Sequence, residues 1–206
     1  MACQHRFLGL HNDSSLLPDW DFDTLIIGTF NPNWNFSKGQ NAEYFYGRTN
    51  KNYFWDVLPE VFGHEKLRSS KKDEWIRFLK NNKIGLTDLL LNIEDAVDSN
   101  TIHYNYLKTK ADINIARFSN LVWNTDNIIT LINQGKIKSI YTTNLTSPSK
   151  FEEQFDLINS AAKVKGIRFE RLVTPSFMCR FYFKGLKCES LYRCLLSFWK
   201  GKILIT

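Results

Sequence analysis

A chain of 206 residues with 43% hydrophobic side chains and few Gly and Pro is long enough for one ordered domain with a sizeable core. No apolar run approaches the ~20 residues of a membrane span, and the first ten residues lack a signal-peptide pattern, so a cytoplasmic protein without membrane contact is expected. The net charge of +6 admits a polyanionic partner and, nearly as well, a solubilising surface.

The elements follow an alternating pattern. A strand is predicted over 24–29, where Leu25-Ile26-Ile27 reads as a buried parallel strand. It turns at Phe30-Asn31-Pro32-Asn33 and enters a polar, aromatic-rich loop through Tyr46 and Arg48. A helix over 52–62 follows, with Phe54, Val57, Leu58, Val61 and Phe62 at helical spacing and Gly63 as its stop. A helix over 72–82 buries Trp75, Phe78 and Leu79, and a strand covers 84–87. Residues 94–110 read as irregular, and helices are expected over 113–120 and 125–133. A strand over 138–143, a helix over 147–163 and a strand over 168–173 come next. Thr174-Pro175-Ser176-Phe177 breaks the pattern before a last helix over 188–199. The expected architecture is one domain over 1–206, a three-layer α/β/α sandwich around a four-stranded parallel sheet.

In such a sheet the carboxyl ends of the strands lie along one edge, where open α/β folds bind ligands. The loops carrying Asn31, Asp88, Asn144 and Ser176 therefore converge on one cleft. Taken singly, each has an ordinary reading. Asn31-Pro32 and Thr174-Pro175-Ser176 are turns, Asn52 is a helix N-cap with core aromatics behind it, and Asp88 is a helix N-cap after its strand. Phe54 lies on an apolar helix face, and Arg180, Lys184 and Lys187 suit a solvated surface. Cys3, Cys179, Cys188 and Cys194 contain no C-x-x-C pair and read as free thiols, with neither a disulfide nor a metal site. His5, His11, His64 and His103 are scattered and suggest no catalytic cluster.

In combination and order, these segments resemble the uracil-DNA glycosylase superfamily, most of all its mismatch-specific uracil/thymine and hypoxanthine branches. Gly28-Thr29-Phe30-Asn31-Pro32 is similar to the family's first motif, with one extra residue before Asn31 and Asn33 where Gly commonly stands. Asn52-Tyr53-Phe54-Trp55 matches a helix start of those branches. Gly85-Leu86-Thr87-Asp88-Leu89 resembles the next strand, and Pro175-Ser176 resembles the late loop, here preceded by Thr174.

The resemblance implies a metal-independent, monofunctional DNA glycosylase of base-excision repair, acting as a monomer without a cofactor. Its partner would be DNA containing a damaged or mismatched base, from which it removes flipped-out uracil or hypoxanthine. It implies that Asn31 positions the water, or Asn52 if the extra residue displaces Asn31, with Asp88 available as a base. Phe30, Tyr46 and Phe54 would stack on the base, and Asn144 would read its edge. Ser176, Arg180 and Lys184 would hold phosphates, while Phe177 or Met178 wedges into the gap. A catalytically inactive nucleic-acid-binding module on the same fold is the alternative. An enzyme acting on free nucleotides would call for a G-x-x-x-x-G-K or G-x-G-x-x-G loop, and the sequence has neither.

Overall fold

A computed structural model describes residues 2–10, 16–36, 41–47 and 52–204; Arg48 and His11 lie outside them. The elements in chain order are β1 (Cys3–Gln4), β2 (Thr24–Gly28), α1 (Phe54–Val61), α2 (Lys72–Asn81), β3 (Ile84–Asp88) and β4 (Leu90–Ile93). Then come α3 (Thr101–Thr109), α4 (Asp112–Ile115), β5 (Leu121–Trp123), α5 (Thr125–Asn133), β6 (Ser139–Thr142), α6 (Ser149–Val164), β7 (Arg168–Arg171), α7 (Cys179–Tyr182) and α8 (Leu191–Lys202).

The main sheet is four-stranded and parallel, in the order β3-β2-β6-β7, as expected. Its centre explains the sequence of β2. Every residue from Thr24 to Gly28 is buried, because helices cover both faces. Ile26 packs with Leu86, Tyr141 and the buried side of α1, α2 and α8. Leu25 and Ile27 face the opposite layer with Ile140, Phe151 and Phe155 of α6, and Ile128 and Ile132 of α5. The alternation of faces along one strand thus builds two cores at once.

Register fixes what stands at the sheet edge. Gly28 pairs with Asp88 and Ile27 with Thr142, so the carboxyl ends of β2, β3 and β6 finish level. Pro59 sits inside α1 and cannot donate to the Trp55 carbonyl. That carbonyl instead accepts from Leu67 N at 2.7 Å, tying the following loop to the helix.

Several expectations are corrected. Residues 94–110 contain the helix α3, capped by Asn100, whose side chain accepts from Ile102 N and His103 N. The helix expected over 113–120 is a single turn, α4, and it gives way to strand β5. That strand joins β1 and β4 in a small antiparallel sheet, β1-β4-β5, absent from the sequence reading. The last helix starts at Leu191, not 188, because the Ser190 side chain caps it by accepting from Arg193 N. Cys188 and Cys194 form a disulfide across that helix start, so the reading of four free thiols fails for these two; Cys3 and Cys179 are free and buried. No helix among the described residues is long and apolar enough to cross a membrane.

Candidate active site

The turn after β2 is held from outside by the first residues of the chain. Arg6 N donates to the Asn31 carbonyl at 2.7 Å, and Asn33 N donates to the Gln4 carbonyl at 3.0 Å. The Arg6 guanidinium reaches the carbonyls of Pro32 and Trp34 at 3.1 and 2.6 Å. His5 bridges to Pro32 in the same short ladder. The N-terminal segment is a strap across the turn that carries Asn31.

The strap delivers one side chain into the interior. His5 is buried, and its Nε2 lies 2.8 Å from Asp88 Oδ2. Its Nδ1 accepts from Phe7 N at 3.1 Å, so that nitrogen keeps its lone pair and Nε2 carries the hydrogen. The contact is therefore a neutral imidazole donating to a carboxylate, and not an ion pair. Asn31 Nδ2 donates to the same Asp88 oxygen at 2.5 Å. Two N–H groups thus converge on one oxygen of a carboxylate that is itself buried. Asn124 secures the backbone beneath it: its amide donates to Thr87 Oγ1 at 2.9 Å and to the Asp88 carbonyl at 3.0 Å.

Asp88 closes β3 and the chain runs on into β4, so it caps no helix, against the ordinary reading of this residue. With Nδ2 committed to Asp88, the Asn31 amide has one orientation. Its Oδ1 is buried without a hydrogen-bond partner among the described residues. A buried acceptor left open costs about 1–3 kcal/mol, so it marks a place where a donor belongs.

The other oxygen of Asp88 faces Gly28. A Cβ at Gly28 would stand 2.2 Å from Asp88 Oδ1 and 2.5 Å from the Tyr46 hydroxyl, so only glycine lets both groups gather at the strand end. Tyr46 takes a left-handed backbone (φ 62°), uncommon for an aromatic residue and suggestive of a site that stores strain. Its ring stacks on Phe54 with centroids 3.9 Å apart, and its hydroxyl lies 3.0 Å from Thr143 Oγ1. Asn52 Oδ1 accepts from Phe54 N at 2.9 Å. Asn52 also bridges to Ser176, and Tyr53 N donates to the Pro175 carbonyl at 2.7 Å, so the late loop is pinned against the start of α1.

The residues singled out from the sequence fall into three groups. Asn31, Asp88 and Tyr46 gather around the ends of β2 and β3, with Asn52 and Ser176 joined at the start of α1. Phe30 and Phe54 are buried in the two cores, Phe54 beneath the Tyr46 ring, so neither presents an open face in this conformation. The amide nitrogen of Asn144 is spent locally on Asp112 and Ser147. Phe177, Met178, Arg180 and Lys184 are exposed in the segment after the Pro175-Ser176 loop.

The sequence reading missed His5 and Asn124. In the structure Cys3, His5 and Phe7 are buried and Gln4 and Arg6 are more open, an alternation too short to stand out in the sequence. Among the described residues no group of three or more His, Cys, Asp or Glu is placed to hold a metal ion.

No family model and no curated protein matches this chain by sequence. A solved structure does match it in three dimensions. The solution NMR structure of a "putative Uracil DNA glycosylase" from Methanosarcina acetivorans superposes with a TM-score of 0.51, covering 89% of this chain and 90% of that one. The two sequences are 17% identical, so the likeness speaks for the fold. This chain shares the α/β fold of that structure.

Proposed function

We propose that the chain is a DNA glycosylase that hydrolyses the N-glycosidic bond of a flipped-out deaminated base, uracil or hypoxanthine, as a step of base-excision repair. The observation that carries this reading is the buried Oδ1 of Asn31 at the sheet edge, without a partner among the described residues, in an amide oriented by Asp88. A water donating to that oxygen would be aligned for attack on the sugar. The carboxylate on the amide N–H pushes electron density toward Oδ1 and makes it a better acceptor. An amide still cannot take the proton as a carboxylate can, so slow turnover follows. In this reading the Tyr46 and Thr143 hydroxyls, 3.0 Å apart, would meet the polar edge of an extruded base. Ser176 and the basic residues after it supply phosphate contacts. No metal or cofactor is part of this scheme, and the protein acts as a monomer on DNA.

Base release from labelled oligonucleotides carrying uracil, hypoxanthine, xanthine or mismatched thymine tests the proposal, with alkali to reveal abasic sites. Asn31→Ala should lower the single-turnover rate by about a hundredfold or more while DNA binding persists. If Asn31→Ala leaves the rate intact and Asn52→Ala abolishes it, the water belongs to Asn52. No release from any lesion, with salt-sensitive DNA binding retained, favours the inactive nucleic-acid-binding module.

A further inference from the structure

The segment after the pinned Pro175-Ser176 loop concentrates exposed apolar surface. Among the described residues, five of the twelve exposed large hydrophobic side chains fall between positions 177 and 186: Phe177, Met178, Phe181, Tyr182 and Leu186. Phe181 is 59% exposed and Met178 57%, values far from those of a core helix. Contiguous apolar surface of this kind marks a binding face.

The face is ordered by its own anchors. Cys179 is buried beneath it, and its N–H donates to the Ser176 carbonyl at 3.0 Å. Tyr182 meets Phe198 of α8 edge-on, with centroids 5.5 Å apart. The Arg180 guanidinium lies between two rings, 4.8 Å from the centre of Phe177 and 4.7 Å from that of Phe181. A planar cation flanked by two aromatics holds all three side chains in a stacked array.

Charge selects the partner. Arg180, Lys184 and Lys187 lie within this segment of the chain, with Glu189 its nearest acid in sequence, while Arg193 beyond it is paired with Glu60 at 3.7 Å. A basic rim around exposed aromatics complements a nucleic acid better than it complements an apolar protein surface. The number of rings selects the form of the nucleic acid. A duplex covers both faces of every base and opens one gap for each flipped nucleotide, which a single apolar wedge fills. An array of two rings with a guanidinium between them has use for several bases whose faces are free. We infer that Phe177, Arg180 and Phe181 form a stacking platform for an unpaired DNA strand, which makes single-stranded DNA the preferred substrate. The inference rests on the reading that the chain acts on DNA, and it needs no base release to be tested.

Fluorescence anisotropy with a labelled, lesion-free oligonucleotide, alone and annealed to its complement, decides the matter across a salt series. The wild-type chain should bind the single strand more tightly than the duplex. Phe177→Ala and Phe181→Ala should each weaken single-strand binding by about tenfold, and by more than they weaken duplex binding. Arg180→Ala should also lower the single-strand salt slope by about 0.7. All three residues are surface side chains, and far-UV circular dichroism of each variant shows whether the fold is intact. Equal or tighter duplex binding overturns the inference, as do ring variants that keep wild-type affinity. An absence of DNA binding, as a protein-docking face would give, overturns it too. Base release measured in parallel from lesion-carrying oligonucleotides of the same length, single-stranded and annealed, separates the two readings: single-strand preference without release sinks the glycosylase proposal alone, and release without that preference sinks the platform alone.

Discussion

His5→Phe is the most informative single perturbation of the buried cluster. The imidazole touches Phe7, Phe30 and Phe45, with ring centroids 5.5, 5.6 and 5.7 Å away, so a phenyl ring keeps the aromatic packing. It removes both nitrogens. The loss of the Nε2–H bond to the Asp88 carboxylate should cost about 1.5–3 kcal/mol, the usual worth of a bond to a charged group. The Phe7 amide loses its acceptor in a buried setting, at about 1–2 kcal/mol more. The expected destabilisation is therefore about 2.5–5 kcal/mol. With a urea m-value of about 2 kcal/mol/M, the unfolding midpoint should fall by about 1.2–2.5 M. His5→Gln is the companion variant, because its amide can restore a donor to Asp88 without restoring the acceptor for Phe7. Its midpoint should lie between those of wild type and His5→Phe. A loss below about 1 kcal/mol for His5→Phe, or equal midpoints for the two variants, would refute the assignment of His5 as a neutral donor to a buried carboxylate.

Gly28→Ala should abolish base release and cost about 1–3 kcal/mol in urea unfolding, since its Cβ would stand 2.2 Å from Asp88 Oδ1 and 2.5 Å from the Tyr46 hydroxyl; a wild-type-like variant would contradict the close approach. Burial raises the Cys3 thiol from 9.0 to about 12 and the Cys179 thiol from 9.0 to about 11. Both raised values favour the protonated fold, so their contribution is complete below pH 9 and is lost as pH rises through the folded-state values. Unfolding followed by circular dichroism should therefore show an alkaline loss of stability beginning near pH 9 in the wild type and smaller in Cys3→Ala and Cys179→Ala.

The main sheet was legible because a central parallel strand announces itself as an uninterrupted apolar run, and its register then aligns the ends where Asn31 and Asp88 stand. Helix α3 was not legible, because Leu107 is its one fully buried residue and Ile102 faces solvent, so no apolar stripe marks it. Its Asn100 cap was the available signal. Strand β1 is two residues long, too short for a periodic pattern, and its partner β4 is 86 or more positions away in sequence. His5 was passed over for the same reason: nothing local ties it to Asp88, which stands 83 positions later. The disulfide joins cysteines six residues apart, and it depends on where α8 begins, with Cα atoms 5.6 Å apart.

The polar cluster also explains how a turn of Asn and Pro comes to hold its amide in one orientation. A turn residue usually shows its amide to water, where its orientation is free. Here the strap of residues 3–6 covers the turn, and Asn31 is 4% exposed. Covering the amide forces each of its atoms to find a partner. The nitrogen finds Asp88, which is reachable because Gly28 has no side chain and because β2 and β3 end in register. The oxygen is left with a defined direction and with no donor among the described residues. The extra residue between Gly28 and Asn31 does not carry Asn31 away from the sheet edge, since its amide still meets the last residue of β3. What orients the amide is the meeting of three distant segments, and the motif spacing supplies only one of them.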